Sequence, residues 1–310
     1  GRPLKPSYTR AFEYSDCWVD DARLVVLNAR DAADRGAEIR TRRRCIAARR
    51  EGGLWRVTLH DPVEPTRYES VSARALVNAA GPWVSEVATG VAGENAPVKV
   101  RLVKGSHLVV DRLYEHDRAY IFQNADGRVC FAIPYEGRFT LIGTTDVDFT
   151  GDALQAAISE EETVYLMAAA NEYFAQPVTR QMIRSSYAGV RPLYDDGATA
   201  AQEATRDYML HLDAPEGAPP MLSIYGGKIT THRRLAEHAM EKLAPTFPDM
   251  RGPWTKSAHL PGGDFQGKRA QFIAEMQKQY AGLEPSLVAR LARAYGTQIE
   301  AVLDGARSPD

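Results

Sequence analysis

An apolar run that passes through two glycines into a helical pattern places the tightest constraint on how this chain folds. The run is Met221-Leu222-Ser223-Ile224-Tyr225, the turn is Gly226-Gly227-Lys228, and a helical pattern follows over residues 233–240. A strand that enters a helix through glycines leaves backbone N–H groups pointing above the turn, and the helix dipole adds positive potential there. The segment therefore predicts an anion site, to which Lys228 adds a cation.

This turn is not the phosphate loop of a nucleotide triphosphatase. Leu222 stands where such a loop has its first glycine, and Ile229 stands where it has the Ser or Thr that holds magnesium. No glycines in the chain have the G-x-G-x-x-G spacing that grips dinucleotide phosphates.

A second buried strand is predicted at residues 74–80, which are apolar without alternation, as in a strand covered on both faces. It runs into Gly81-Pro82-Trp83, where Pro82 suits a first helical turn. Before it come a predicted helix from residue 20 or 21 to 36, a short strand at 38–40 and a meander over 45–71. This order is that of the second half of an FAD-binding doubly wound domain, in which the last strand's carboxyl end approaches the dinucleotide.

The remaining sequence changes character twice. Residues 98–149 alternate as antiparallel strands, and Ser159 with Glu162 forms a capping box for a helix. Helices are predicted at 268–280, 285–295 and 299–303. The fold class is therefore α/β (α+β), with a partial FAD-binding domain at 1–97 and 221–255, an antiparallel substrate-binding domain at 98–220 and a truncated helical domain at 256–310.

Composition excludes several classes of protein. The 310 residues are 44% apolar and 25% charged, with a net charge of −2, so no global field favours nucleic acid. Cys17, Cys45 and Cys130 have neither metal-ligand spacing nor the pattern of a disulfide framework, so we expect no metal and a reducing compartment. No signal peptide or transmembrane run is predicted.

Longer motifs resemble one family, the aerobic FAD-dependent glycerol-3-phosphate dehydrogenases of bacteria, over essentially the whole chain. The segments that carry the resemblance are residues 12–24, Asn78-Ala79-Ala80-Gly81-Pro82-Trp83, Lys104-Gly105-Ser106-His107, Ile142-Gly143-Thr144-Thr145-Asp146, Gly189-Val190-Arg191-Pro192, Thr205-Arg206-Asp207-Tyr208 and Gly226-Gly227-Lys228-Ile229-Thr230-Thr231. The resemblance implies oxidation of glycerol 3-phosphate to dihydroxyacetone phosphate, with hydride transfer to FAD and electrons passed to quinone. It also implies a cytoplasmic protein, peripheral on the anionic inner face of the plasma membrane, and a homodimer.

The resemblance also implies roles for single residues. Arg191 and Arg206 would bind the substrate phosphate, for which arginine supplies a planar fork of donors. Lys228 would reach the substrate or the flavin edge. His107 would be the general base that removes the hydroxyl proton. The residues expected against FAD are Ala79, Ala80, Gly81, Trp83, Gly227, Lys228, Ile229, Thr230 and Thr231.

The chain departs from the family pattern in two large respects. The family's amino-terminal segment, with its glycine fingerprint and an active-site arginine, is absent, and the carboxyl-terminal helical domain is present only in part. His232 is a smaller departure, where the family more often has tyrosine. We therefore expect the isolated chain to bind FAD weakly or not at all and to be inactive. Two alternatives stay open: an amine or amino-acid oxidase on the same fold, and a non-catalytic binding fragment.

Overall fold

The computed structural model describes residues 2–195 and 207–308. The chain divides into two compact units, Gly1–Ser15 with Arg44–Pro248 and Asp16–Arg43 with Asp249–Asp310. The four-segment division made from the sequence stays a prediction. The mixed α/β fold class is confirmed.

Strands and helices are numbered in chain order over these described ranges. The strands are β1 (Arg44–Glu51), β2 (Leu54–His60), β3 (Tyr68–Ala73), β4 (Leu76–Asn78), β5 (Val100–Asp111), β6 (Tyr120–Gln123), β7 (Val129–Tyr135), β8 (Phe139–Gly143), β9 (Val147–Asp148), β10 (Ile183–Tyr194), β11 (Tyr208–Asp213) and β12 (Met221–Gly226). The α-helices are α1 (Asp21–Asp34), α2 (Val84–Glu86), α3 (Glu160–Tyr173), α4 (His232–Leu243), α5 (Arg269–Gln279), α6 (Pro285–Tyr295) and α7 (Ile299–Leu303).

The first sheet is the antiparallel meander β1-β2-β3, as predicted. Its hairpin closes on Glu51 opposite Leu54, and Gly52 and Gly53 both have positive φ, which glycine adopts without steric penalty. The strand predicted at 38–40 is wrong. Three residues with alternating polarity are too few to specify pairing with another strand. The segment is irregular, and Arg40 forms an ion pair with Glu38.

A larger antiparallel sheet has the order β10-β5-β8-β7-β6, and β9 also pairs with β5. Helix α3 covers one face of it and begins with the predicted capping box, in which Ser159 accepts from the Glu162 amide and Glu162 accepts from the Ser159 amide. Its core packs aromatic and aliphatic side chains of α3 against the sheet, among them Leu108, Phe122, Ile142, Leu166, Tyr173 and Phe174. The opposite face of the sheet carries the candidate site.

The third sheet, β11-β12-β4, joins the two predicted buried strands. Strands β12 and β4 are parallel and pair Met221 with Leu76 and Ser223 with Asn78, so their carboxyl ends lie at the same edge. The prediction that β4 is covered on both faces is wrong at Val77. This residue lies on the face opposite to that of Leu76 and Asn78, and it is 47% exposed. The described β4 is an edge strand of three residues, shorter than predicted.

The second unit is helical in its described part. Its core is formed by α5, α6 and α7 through Phe272, Tyr280, Val288, Leu291 and Ile299. Helix α1 belongs to this unit, and it begins as predicted, with Asp20 accepting from the Arg23 amide.

Candidate active site

His107 lies within β5 (Val100–Asp111), well inside the strand. It is opposite Tyr187 of β10 and Gly143 of β8, and its ring stacks on Tyr187 with centroids 4.8 Å apart. A Cβ atom at Gly143 would lie 2.1 Å from His107 Cδ2 and 2.7 Å from Nε2. Only glycine at position 143 therefore leaves room for the imidazole in this place.

Arg191 lies on the same sheet, and its guanidinium bonds to Asp146 and Thr144. Nη1 donates to Asp146 Oδ1 at 2.8 Å, and Nη2 donates to Thr144 Oγ1 at 3.2 Å. The guanidinium lies on Gly105, where a Cβ would come within 2.6 Å of both terminal nitrogens. Arg191 is 31% exposed and Asp146 is 13% exposed, so a charge-assisted pair at the sheet surface is partly shielded from water.

Arg191 and His107 lie on the same face of the sheet. Opposite residues of an antiparallel pair share a face, as does every second residue along a strand. The paired positions on this face are Val103 with Arg191, Gly105 with Gly189 and His107 with Tyr187. The Arg191 guanidinium therefore lies on Gly105, the residue that precedes His107 on this face. Gly105 and His107 are about 7 Å apart along β5.

Burial and this proximity together determine the protonation of His107, and burial is the larger cause. Burial, together with the positive charge of Arg191, lowers the pKa of His107 to about 4. The Nδ1 atom is buried and has no hydrogen-bond partner in the described part of the chain. The imidazole is therefore neutral at neutral pH.

The glycine turn after β12 lies next to the Arg191 strand. A Cβ at Gly226 would be 3.5 Å from the Tyr194 nitrogen and 3.7 Å from the Pro192 oxygen, both on β10. Gly226 and Gly227 have φ of +71° and +103°, which L side chains rarely adopt. The turn therefore brings the predicted anion site and Arg191 into one neighbourhood.

Lys228 precedes a single turn of 3₁₀-helix, Ile229–Thr231, that leads into α4. Its side chain is exposed, as are those of Thr230 and Thr231. The Thr231 amide donates to the Lys228 carbonyl at 3.0 Å, so this amide has a partner inside the turn. Ile229, Thr230 and Thr231 stay predicted FAD contacts.

The small-residue segment after β4 is fixed by a buried asparagine. Asn78 Nδ2 donates to the Val84 carbonyl at 2.8 Å, and Asn78 Oδ1 accepts from the Ala80 amide at 3.3 Å. Gly81 has a φ of +55°, and the turn Gly81–Trp83 packs against β10 and β12. Ala79, Ala80, Gly81 and Trp83 are thus placed at the sheet edge that also carries the Gly226-Gly227 turn.

One predicted ligand of the phosphate, Arg206, lies outside the described residues. Sequence reasoning missed Thr144, Asp146, Gly105 and Gly143 as site residues, although all four are in the motifs that carry the resemblance. The adjacent polar triplet Thr144-Thr145-Asp146 at a strand end was the signal available.

Two kinds of feature are absent from residues 2–195 and 207–308. In those ranges no three His, Cys, Asp or Glu side chains are arranged to hold a metal ion. No helix there combines the length and apolar character needed to cross a membrane.

Three known proteins that are similar to this chain are dehydrogenases named for a polyol phosphate. The chain is 49% identical over 98% of its length to a glycerol-3-phosphate dehydrogenase of Pseudomonas aeruginosa, and 46% identical over 99% to a D-erythritol 1-phosphate dehydrogenase of Brucella abortus. It spans 59% and 61% of these two relatives. The crystal structure of the glycerol-3-phosphate dehydrogenase from Bacillus halodurans complexed with FAD matches 92% of this chain and 55% of its own, at 30% identity and a TM-score of 0.77.

A family model covers most of the sequence. The model described as FAD dependent oxidoreductase (DAO) matches residues 2–233, which include every site residue discussed above. The resemblance inferred from the motifs is thereby confirmed, and the chain belongs to the FAD dependent oxidoreductase family.

Proposed function

We propose that this chain forms the substrate side of an FAD-dependent dehydrogenase that oxidises the secondary alcohol of a polyol phosphate, with glycerol 3-phosphate as the first candidate. The observation that carries the proposal is the arrangement on one sheet face. There Arg191, fixed by Asp146 and Thr144, lies beside the neutral imidazole of His107. An anion-binding fork next to an uncharged base suits a substrate that has a phosphate and a hydroxyl a few ångströms apart.

The residues present fit the part of FAD that carries the flavin ring. The carboxyl ends of parallel β4 and β12 meet at one edge, and the residues that follow them are small or have positive φ, so a backbone-lined surface is open to a flat ring. The 12-residue helix α4 begins at this edge, and its amino terminus favours negative charge. When bound, FAD supplies the acceptor for the hydride that leaves the substrate carbon.

The phosphate of the substrate would bind Arg191. Asp146 pairs with the guanidinium through Nη1 at 2.8 Å, and Nη2 donates to the Thr144 hydroxyl at the longer distance of 3.2 Å. A dianion can displace the weaker contact while Asp146 keeps the fork oriented. Arg206 and Lys228 complete the proposed set of cations.

His107 would take the proton of the substrate hydroxyl. With a pKa of about 4 the imidazole is unprotonated before substrate binds, which is the state a base needs. A phosphate dianion beside Arg191 offsets the positive charge that contributes to the low pKa. Substrate binding should therefore raise the pKa of His107 and make it a stronger base.

The relatives favour two candidate substrates. Glycerol 3-phosphate and D-erythritol 1-phosphate are both polyol phosphates, and their dehydrogenases are similar to this chain at 49% and 46% identity. D-erythritol 1-phosphate is therefore the second candidate. Transfer of the electrons to quinone, attachment to the anionic inner face of the plasma membrane and a homodimer belong to the proposal on the family resemblance alone.

Because the isolated chain is expected to bind FAD weakly or not at all, the direct test is turnover by the full-length protein loaded with FAD, which is the holoenzyme in all the experiments below. We expect anaerobic addition of glycerol 3-phosphate or D-erythritol 1-phosphate to bleach the absorbance of the oxidised flavin, and a quinone analogue to restore it. Glycine and sarcosine serve as the comparison. Bleaching by these amines and not by the polyol phosphates would identify an amine oxidase and overturn the proposal.

Removal of the Arg191 fork should weaken the reaction strongly. We expect Arg191→Ala to lower kcat/KM for glycerol 3-phosphate by about 100-fold, which corresponds to about 3 kcal/mol, and Arg191→Lys to restore only part of it. The matched control is Arg184→Ala. Arg184 forms a bidentate pair with Asp111 near the other end of β10, and its loss should leave kcat/KM unchanged. Equal kcat/KM in parent and Arg191→Ala would contradict the phosphate assignment.

Loss of the Arg191 charge should also change the titration of His107. In the ligand-free holoenzyme we expect its ring proton, followed by NMR, to titrate well below pH 6.5, because the folded chain buries it near Arg191. Arg191→Ala should raise this midpoint, although not to 6.5, since burial is the larger cause, and Arg184→Ala should not move it. The unfolded chain takes up this proton at higher pH than the native state, so His107 makes the fold less stable as the pH falls from about 6.5 to about 4. A midpoint at or above 6.5 in the parent would refute the electrostatic description.

The glycine turn should matter for flavin occupancy. We expect Gly227→Ala to lower the ratio of bound FAD to protein, because its φ of +103° disfavours a side chain and the added Cβ would lie 3.1 Å from Leu235 Cδ1. Gly217→Ala is the control, since Gly217 has a φ of +71° in the β11–β12 loop and a Cβ added there would meet no described atom within 4 Å. If both variants retain the same flavin as the parent, the turn does not contact the cofactor.

A further inference from the structure

A buried carboxylate lies on the other face of the site sheet. Glu162, in the first turn of α3, is 7% exposed, and its hydrogen bonds lie on the face opposite His107. Its Oε1 accepts from Ser106 Oγ at 2.9 Å and from Thr145 Oγ1 at 2.8 Å. Thr145 Oγ1 in turn accepts from the Ser106 amide at 2.9 Å, which closes a three-membered polar cluster.

The two hydroxyl residues of this cluster are each flanked by site residues. Ser106 is between Gly105, on which the Arg191 guanidinium lies, and His107. Thr145 is between Thr144 and Asp146, which both accept from Arg191. A single carboxylate oxygen therefore ties the backbone under His107 to the backbone that orients Arg191.

The second oxygen anchors the cluster to α3. Oε2 forms an ion pair with Lys104 Nζ at 2.8 Å and accepts from the Ser159 amide at 2.8 Å. Burial by itself raises the pKa of the Glu162 carboxyl, but the hydrogen bonds from Lys104, Ser159, Thr145 and Ser106 outweigh it and leave the pKa below its ordinary value. A capping box needs only the Ser159 contact. The two hydroxyl donors and the lysine go beyond what capping requires.

We propose that Glu162, acting through Ser106 and Thr145, is a positioning residue that sets the geometry of the Arg191 fork relative to His107. This inference rests on the proposed function, since it assigns Glu162 to the same site. Because the guanidinium lies on Gly105 and bonds Thr144 and Asp146, a shift of β5 against the segment after β8 changes both its support and its acceptors. The Ser106–Thr145–Glu162 cluster joins these two segments directly and prevents that shift.

The test compares variants that differ only in this cluster. Thr145→Val removes the hydroxyl and preserves the shape, whereas Thr145→Ser preserves the hydroxyl. We expect Thr145→Val to lower kcat/KM for glycerol 3-phosphate by about 10- to 100-fold, as expected for misplaced binding groups, and Thr145→Ser to remain near the parent. Affinity for glycerol 2-phosphate, which has no secondary alcohol to oxidise, should fall in parallel.

Glu162→Gln has a matched control in the same helical turn. This substitution removes one negative charge. The new amide nitrogen then faces either Lys104 or the hydroxyls of Ser106 and Thr145, depending on its orientation. We therefore expect a loss of kcat/KM similar to that of Thr145→Val. Glu161→Gln removes the same charge from the exposed neighbouring position and should leave kcat/KM at the parent value. If Thr145→Val does not fold, Ser106→Ala replaces it, because that variant removes one donor and keeps the backbone bond to Thr145.

A double-mutant cycle separates positioning from general damage. The fold-loss of kcat/KM in the double variant Thr145→Val/Arg191→Lys should be smaller than the product of the fold-losses in the two single variants. The reason is that both substitutions act on the same guanidinium fork. Independent losses, or a parent-like Thr145→Val, would overturn the proposal. If the parent neither oxidises nor binds a polyol phosphate, the proposed function fails by itself. The His107 titration then decides the positioning role: the midpoint should move in Thr145→Val and Glu162→Gln but not in Glu161→Gln, and an unmoved midpoint in all three refutes it.

Discussion

The pair between Arg191 and Asp146 is the interaction on which the rest of the site depends. A guanidinium at the surface of a sheet is mobile unless it is held, and here it is held by a carboxylate, by the Thr144 hydroxyl and by close approach to Gly105. The same cation contributes to the low pKa of His107. One side chain thus supplies both the anion-binding group and part of the electrostatic field that keeps the neighbouring imidazole neutral.

Strand β5 has different chemistry on its two faces. On one face Gly105 and His107 contribute to the candidate site, and on the other Lys104 and Ser106 bond to Glu162 of α3. Because side chains alternate with a period of two, a shift of one residue would exchange the two sets completely. The Glu162 cluster opposes such a shift, and so does the fit of His107 on Gly143. The alternation of β5 therefore keeps the candidate site and the Glu162 cluster on separate faces of the sheet.

Local structure was predictable from the sequence where a short-range rule governs it. The hairpin at Gly52-Gly53, the Asp20 cap of α1 and the Ser159–Glu162 capping box all depend on residues within four positions of one another. The prediction of a strand at 38–40 failed because three alternating residues carry too little information when no partner strand is adjacent. The expected burial of Val77 failed for a related reason, since an apolar run shows that a strand can be covered but not what covers it.

The site required contacts that are distant in the sequence. Arg191 and Asp146 are 45 positions apart, and Ser106 and Glu162 are 56 apart. The sequence supplied the residue types and the motifs, and the resemblance supplied expected roles for Arg191 and His107. Neither the sequence nor the resemblance could show why positions 105 and 143 are glycine. The structure shows that the Arg191 side chain occupies the space above Gly105 and that the His107 ring occupies the space above Gly143. Glu162 shows the same limit most clearly, because its local role as a capping residue accounts fully for its place in the sequence and hides its bonds to Ser106 and Thr145. A residue that satisfies one short-range rule can therefore carry a second, long-range function, which only its burial and its remaining hydrogen-bond partners reveal.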